Sequence, residues 1–134
     1  MISGDDYVRA QRVRCDTMAR FTQVFRDVDA VITPTTACTA PLIQQDSLVY
    51  GESDLSIQNE LMRFVTVANL TGLPALTLPA GYDGRGLPIG LQLIGKPWEE
   101  ACLLRIALAV EKSVIRKAPM LHYTLLDEIG TDPS

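Results

Sequence analysis

The chain has 134 residues and a net charge of −4, with a pI near 4.9, a balance that argues against nucleic acid as a partner. With 47% hydrophobic residues, no low-complexity tract and no internal repeat, it reads as one domain's worth of globular chain with a real core. Cys15, Cys38 and Cys102 stand apart, no C-x-x-C occurs and His122 is the sole histidine. This argues against a zinc site and for reduced, buried thiols in the cytosol.

Ser3 followed by Asp6 resembles a capping box. The helix it opens runs to about Asp27, with Val8, Cys15, Met18, Phe21, Thr22, Phe25 and Val28 on one face. The arginines from Arg9 to Arg26 alternate with Asp5, Asp6, Asp16 and Asp27, as on a solvated face. Asp29 to Thr33 is a short buried strand stopped by Pro34. Thr35 to Asp54, rich in Thr, Gln, Ser, Pro and Gly, reads as a loop. A loop of that length is uncommon in a compact domain, so it is expected to line a site or to meet another part of a larger protein. Ser56 to Leu70 is a second helix with Gly72 as its C-cap.

The uncharged run from Phe64 to Tyr82 approaches a membrane-spanning length, but Asn69, Gly72, Pro74 and Pro79 interrupt it. No transmembrane segment is expected, and Met1 to Asp6 lacks an apolar secretory core. Leu73 to Ala80 and Leu87 to Ile94 are apolar at nearly every position, which predicts strands buried on both faces. Asp83-Gly84 marks a hairpin turn between them. Pro74, Pro79 and Pro88 lack the N–H of a ladder residue and are expected at strand ends or bulges. The intervening glycines match neither G-x-G-x-x-G nor G-K-[ST], so a turn is favoured over a phosphate cradle. Pro97-Trp98-Glu99-Glu100 opens a third helix, with Leu103, Ala107, Val110 and Val114 as its buried stripe. The tail from Lys117 is expected to be irregular and Thr131 to Ser134 frayed. The order α-β-α-β-β-α gives an α/β fold, with few strands for a sheet covered on both faces.

No catalytic constellation is complete. There is no G-x-S-x-G, and none of Ser3, Ser47, Ser53, Ser56, Ser113 and Ser134 sits in a glycine-rich loop. A histidine-based triad would have to use His122, whose setting favours a structural or surface role. Lys96, Lys112 and Lys117 are the candidate lysine bases, and Lys96 reads better as a solvated charge at a strand end. An independent small enzyme using Cys38 or His122 has no partner groups at useful spacing.

Asn69–Gly81 (N-L-T-G-L-P-A-L-T-L-P-A-G), Gly86–Gly95 (G-L-P-I-G-L-Q-L-I-G) and Trp98–Leu104 (W-E-E-A-C-L-L) resemble the C-terminal part of the amidase signature hydrolases. D-A-V-I-T-P-T with a following A-P, and Ala10 and Arg14 in A-Q-R-V-R, fit as well. The resemblance covers about residues 7 to 115. It implies the C-terminal part of the amidase signature fold, a mixed sheet covered by helices, with residues 1–134 forming a single partial domain. L-M-R-F at Leu61–Phe64 and G-K-P-W-E-E at Gly95–Glu100 look most like the fatty acid amide hydrolase branch, especially its plant-type members. The glutamine-using amidotransferases of the family carry an aspartate seven residues before the asparagine of the N-L-x-G-L-P motif. That position here is Met62, which suits an acyl or aromatic amide better than a charged amino acid.

The resemblance also implies a Ser–Ser–Lys triad, with a lysine activating the nucleophile through a serine in a cis peptide, and backbone N–H groups around the oxyanion. These belong to the N-terminal and central parts of the family's sequence. None matches a residue here, so no catalytic residue is carried over, and neither metal nor cofactor is implied. What carries over is a pocket wall: Met62, Val65 and Thr66 on the helix before the asparagine motif, and Trp98 after the last strand. Ordinary core packing is the alternative for each, and is favoured for Val65.

The implied function is that of a C-terminal segment of an amidase cleaving fatty acyl or other apolar amides. It would supply strands and a wall, be inactive alone, and meet its small-molecule amide only in a full-length enzyme. Its expected setting is cytoplasmic or peripheral to an internal membrane. One alternative is a non-catalytic binding or assembly module, pairing with another chain or with itself through an exposed sheet edge. The other is a fragment like the amidase-type component of an amidotransferase.

Overall fold

A computed structural model of the chain describes residues 1–45, 47, 51, 54–115 and 117. Helix α1 spans Gly4–Val24, and its start is the expected capping box: the Asp6 N–H donates to Ser3 Oγ at 3.2 Å, and the Ser3 N–H donates to Asp6 Oδ2 at 3.1 Å. The Ser3 hydroxyl also donates to Asp6 at 2.7 Å and, with the Ser3 N–H, holds that carboxyl below its ordinary range. The helix ends at Val24, short of Asp27, and no residue within it is buried. The predicted apolar face is therefore wrong: Val8, Cys15, Met18 and Val28 are exposed, and the half-buried stripe is Gln11, Arg14, Thr17 and Phe21, leading to buried Phe25. The reason lies in what the helix touches. It packs on one short helix, and Arg14 Nε reaches across to the Leu70 carbonyl at 2.7 Å.

Strand β1 is Ala30–Pro34. The expected second helix is broken in two, α2 at Leu55–Met62 and α3 at Thr66–Thr71. Asp54 caps α2 by accepting from the Ser56 and Ile57 N–H groups at 2.8 and 3.1 Å. The break falls before Val65, Thr66 and Val67, a β-branched run that weakens helix continuation. Gly72 closes α3 with φ 74°, the left-handed C-cap expected of it.

Strands β2, Ala75–Tyr82, and β3, Pro88–Gly95, form the hairpin, and β3 is central in a three-stranded antiparallel sheet of order β1-β3-β2. The prolines stand where a missing N–H is harmless: Pro74 before β2, Pro79 at a bulge with Gly81, and Pro88 first in β3. Burial on both faces holds only for the second half of β3, Gln92–Gly95; most of β2 and β1 is exposed or half-exposed. Both are edge strands among the described elements.

Helix α4, Glu100–Ser113, packs on β2 and β3. Its inner residues Leu103 and Ala107 meet Leu78 and Leu93, with Leu76, Leu91, Ile106 and Val110 around them. Leu93 is fully buried and Ile94 is 2% exposed. The helix starts at Glu100 and not at Pro97, because Trp98 turns the chain at φ 65° first. Gly95 lets α4 approach: a methyl group there would lie 3.2 Å from Leu103 Cδ1.

Candidate functional site

The largest apolar concavity with a defined wall lies between the C-terminal half of α1 and the turn leaving β3. It has a volume of about 470 Å³, with Met18, Phe21 and Phe25 on one side and Leu73, Pro74 and Trp98 on the other. The indole of Trp98 is 92% exposed. A φ of 65° is uncommon for so bulky a residue, and such backbone outliers concentrate at functional positions.

Lys96 stands on this rim with its charge engaged. Its Nζ donates to Asp29 Oδ1 at 2.9 Å, and that hydrogen bond holds the ammonium above the usual lysine range. A lysine held protonated does not act as a base at neutral pH. Lys112 is exposed on α4. The Lys117 N–H donates to the Tyr82 hydroxyl at 2.8 Å, and its Nζ lies 5.5 Å from the centre of the Tyr82 ring. Contrary to the expectation of buried thiols, Cys15 and Cys38 are exposed and Cys102 is half-buried, because the elements carrying the first two are covered on one side only. His122 lies outside the described residues, as do Ser53, Ser134 and the tail beyond Lys117. Among the described residues no group of three His, Cys, Asp or Glu side chains could hold a metal ion.

The sequence-derived wall residues fall in two places. Trp98 lines the groove, whereas Met62, Val65 and Thr66 do not. Those three flank the α2–α3 break on the other side of the sheet from α4. Met62 is 45% exposed, Thr66 is exposed and donates its hydroxyl to the Met62 carbonyl at 2.8 Å, and Val65 is half-buried.

Two features escaped the sequence reading. Gln92 is 4% exposed in the centre of β3, and its Nε2 donates to Thr33 Oγ1 and to the Phe64 carbonyl, each at 3.0 Å. Its signal was available, since it is the one polar side chain in P-I-G-L-Q-L-I-G. The second is a latch between the hairpin tip and the segment after β1. Asp83 Oδ1 accepts from the Arg85 and Leu87 N–H groups at 2.8 and 2.9 Å, and Oδ2 accepts from the Thr39 hydroxyl at 2.8 Å. Arg85 donates onward to the Ala40 carbonyl at 3.2 Å. The Leu87 N–H, followed by the Thr39 hydroxyl, holds the Asp83 carboxyl below its ordinary range. The Asp-Gly signal had suggested only a turn.

Residues 1–104 match the family model described as Amidase. The chain is 47% identical over 126 residues to a fatty acid amide hydrolase of Arabidopsis thaliana, covering 93% of this chain and 21% of that protein. It is 51% identical over 127 residues to one from Oryza sativa subsp. japonica, with the same shares. Identity to the amidase-type component of the glutamyl-tRNA(Gln) amidotransferase of Allorhizobium ampelinum is 42% over 118 residues, covering 84% and 22%. Among solved structures, the corresponding glutamyl-tRNA(Gln) amidotransferase component of Thermotoga maritima superposes with a TM-score of 0.70 at 32% identity, over 81% of this chain and 22% of that one. The chain thus spans about a fifth of the length of the curated relatives it matches.

Proposed function

Because the chain belongs to the amidase family, we propose that it serves as the C-terminal segment of an amidase that hydrolyses carboxylic amides carrying an apolar acyl group. It contributes three strands and two parts of a pocket wall: Trp98 with its apolar groove, and the α2–α3 break bearing Met62, Val65 and Thr66. The observation that carries this reading is the identity of 47% to 51% to plant fatty acid amide hydrolases along nine-tenths or more of the chain. The Ser–Ser–Lys triad implied by the resemblance has no counterpart in these residues, so turnover requires groups outside them. Unpartnered apolar side chains such as Ile32, Leu104 and Leu108 fit a segment that is covered further in a larger protein. Among the described residues no helix is long and apolar enough to cross a membrane; a cytoplasmic or membrane-peripheral setting is part of the proposal.

Trp98 is the only tryptophan, so its fluorescence tests the reading directly. Oleoyl anilide should shift the emission saturably, whereas free glutamine should not. Failure of the acyl amide to shift it removes Trp98 from the wall. A response to glutamine would favour the second reading, an amidotransferase-like segment, which the match to the Thermotoga maritima protein supports. An assembly role is a third reading, supported by the open edges of β1 and β2 among the described strands. Concentration-dependent association, measured by sizing, would favour it.

A further inference from the structure

Gln92 occupies the middle rung of the sheet, directly across from Thr33 on β1 and Thr77 on β2. That rung is polar, whereas the rungs on the α4 side are built from leucine. Burying a primary amide is unfavourable unless its hydrogens find acceptors. Here both acceptors are identified, and the Phe64 carbonyl can only accept, which fixes the amide with its nitrogen towards Phe64. Phe64 lies in the turn between α2 and α3, so one strand side chain holds the break against the sheet. The Thr66 hydroxyl on the Met62 carbonyl adds a local bond of the kind that bends helices.

We infer that Gln92 is a positioning residue. It pins the α2–α3 break to the centre of the sheet and thereby sets where Met62, Val65 and Thr66 present their side of the wall. The functional meaning rests on the wall reading proposed above; the pinning itself does not. A leucine or methionine would fill the same space and leave the break unanchored.

The test uses the 134-residue chain. In the parent protein, a scalar coupling across the hydrogen bond from Gln92 Nε2 to the Phe64 carbonyl carbon should be detectable by NMR, and its absence overturns the inference without any variant. Gln92→Met should speed amide exchange at residues 62–66 by on the order of tenfold or more, while β3 and α4 keep their parental protection. Gln92→Glu should behave like the methionine variant at neutral pH. It should regain protection near pH 5, where a buried carboxyl is protonated and can donate to Phe64. The residues directly across from it, Thr33 and Thr77, do not titrate in this range. Unchanged exchange at 62–66, or uniform loosening of the whole chain without recovery in acid, overturns the inference. Neither readout involves a substrate, so failure of the amidase reading would leave these results standing.

Discussion

The two faces of the sheet are built differently. On the α4 side Leu78, Leu93, Leu103 and Ala107 close a dry core in which shape alone fixes position. On the other side Ile94 is buried beside a polar rung, and the covering helices are short, broken and held by individual hydrogen bonds from Gln92 and Arg14. The first face gives the segment its stability. The second fixes where particular side chains stand, which is what a wall of a binding site requires.

Substitutions on the two faces should therefore fail differently. The largest loss is expected from Leu93→Ala, which empties the fully buried centre of the core and should cost about 2–5 kcal/mol in urea unfolding. Gly90→Ala comes next. Its methyl would lie 2.6 Å from Thr35 Oγ1 on the polar side, and the overpacking should cost about 1–3 kcal/mol. Thr35→Ala in the same chain should restore part of that, and an equal loss without any rescue would break the assignment. Gly72→Ala forces a side chain into φ 74° at the end of α3 and should cost about 1–2 kcal/mol, read as a lower unfolding midpoint with unchanged slope.

Trp98→Gly sharpens the contrast from the other direction. It relieves a strained φ and removes an exposed indole, so stability should stay level or rise by up to about 1 kcal/mol while affinity for an apolar acyl amide falls. The binding of this variant is followed by calorimetry. A marked loss of stability would return Trp98 to the core.

Acidification should have the smallest effect. The folded Asp83 carboxyl titrates below its unfolded value. Its contribution is therefore complete above the ordinary aspartate pKa of about 3.9 and is lost as pH falls through the lower folded value. The Thr39 and Leu87 resonances should move only below about pH 4, leaving β3 and α4 unchanged. Movement between pH 5 and 8 would contradict the latch.

Most of the scaffold could be read from local chemistry. The Ser3–Asp6 box, Gly72 as a C-cap, the three prolines at strand ends and a bulge, and the Leu103–Ala107 stripe are each set by a few neighbouring residues. The errors arose where distant parts meet. The apolar face of α1 proved to be exposed because the half-buried side of that helix is the one through which Arg14 and Phe21 meet the rest of the chain. The second helix looked continuous because the cause of its break, besides its β-branched residues, is an acceptor for Gln92 that lies 28 positions away. Strands of uniform apolarity gave no warning that β1 and β2 would be edges. Of the wall residues, Trp98 could be related to a groove by its place after β3, while the separation of Met62, Val65 and Thr66 from that groove required the three-dimensional arrangement.

If these residues build scaffold and wall and supply none of the chemistry, the purified 134-residue chain should not turn over an amide by itself. Hydrolysis of an oleoyl anilide by that chain tests this most directly. The expected result is a rate indistinguishable from the uncatalysed reaction. Turnover that disappears on substituting Lys96, Cys38 or any serine of this chain would contradict it.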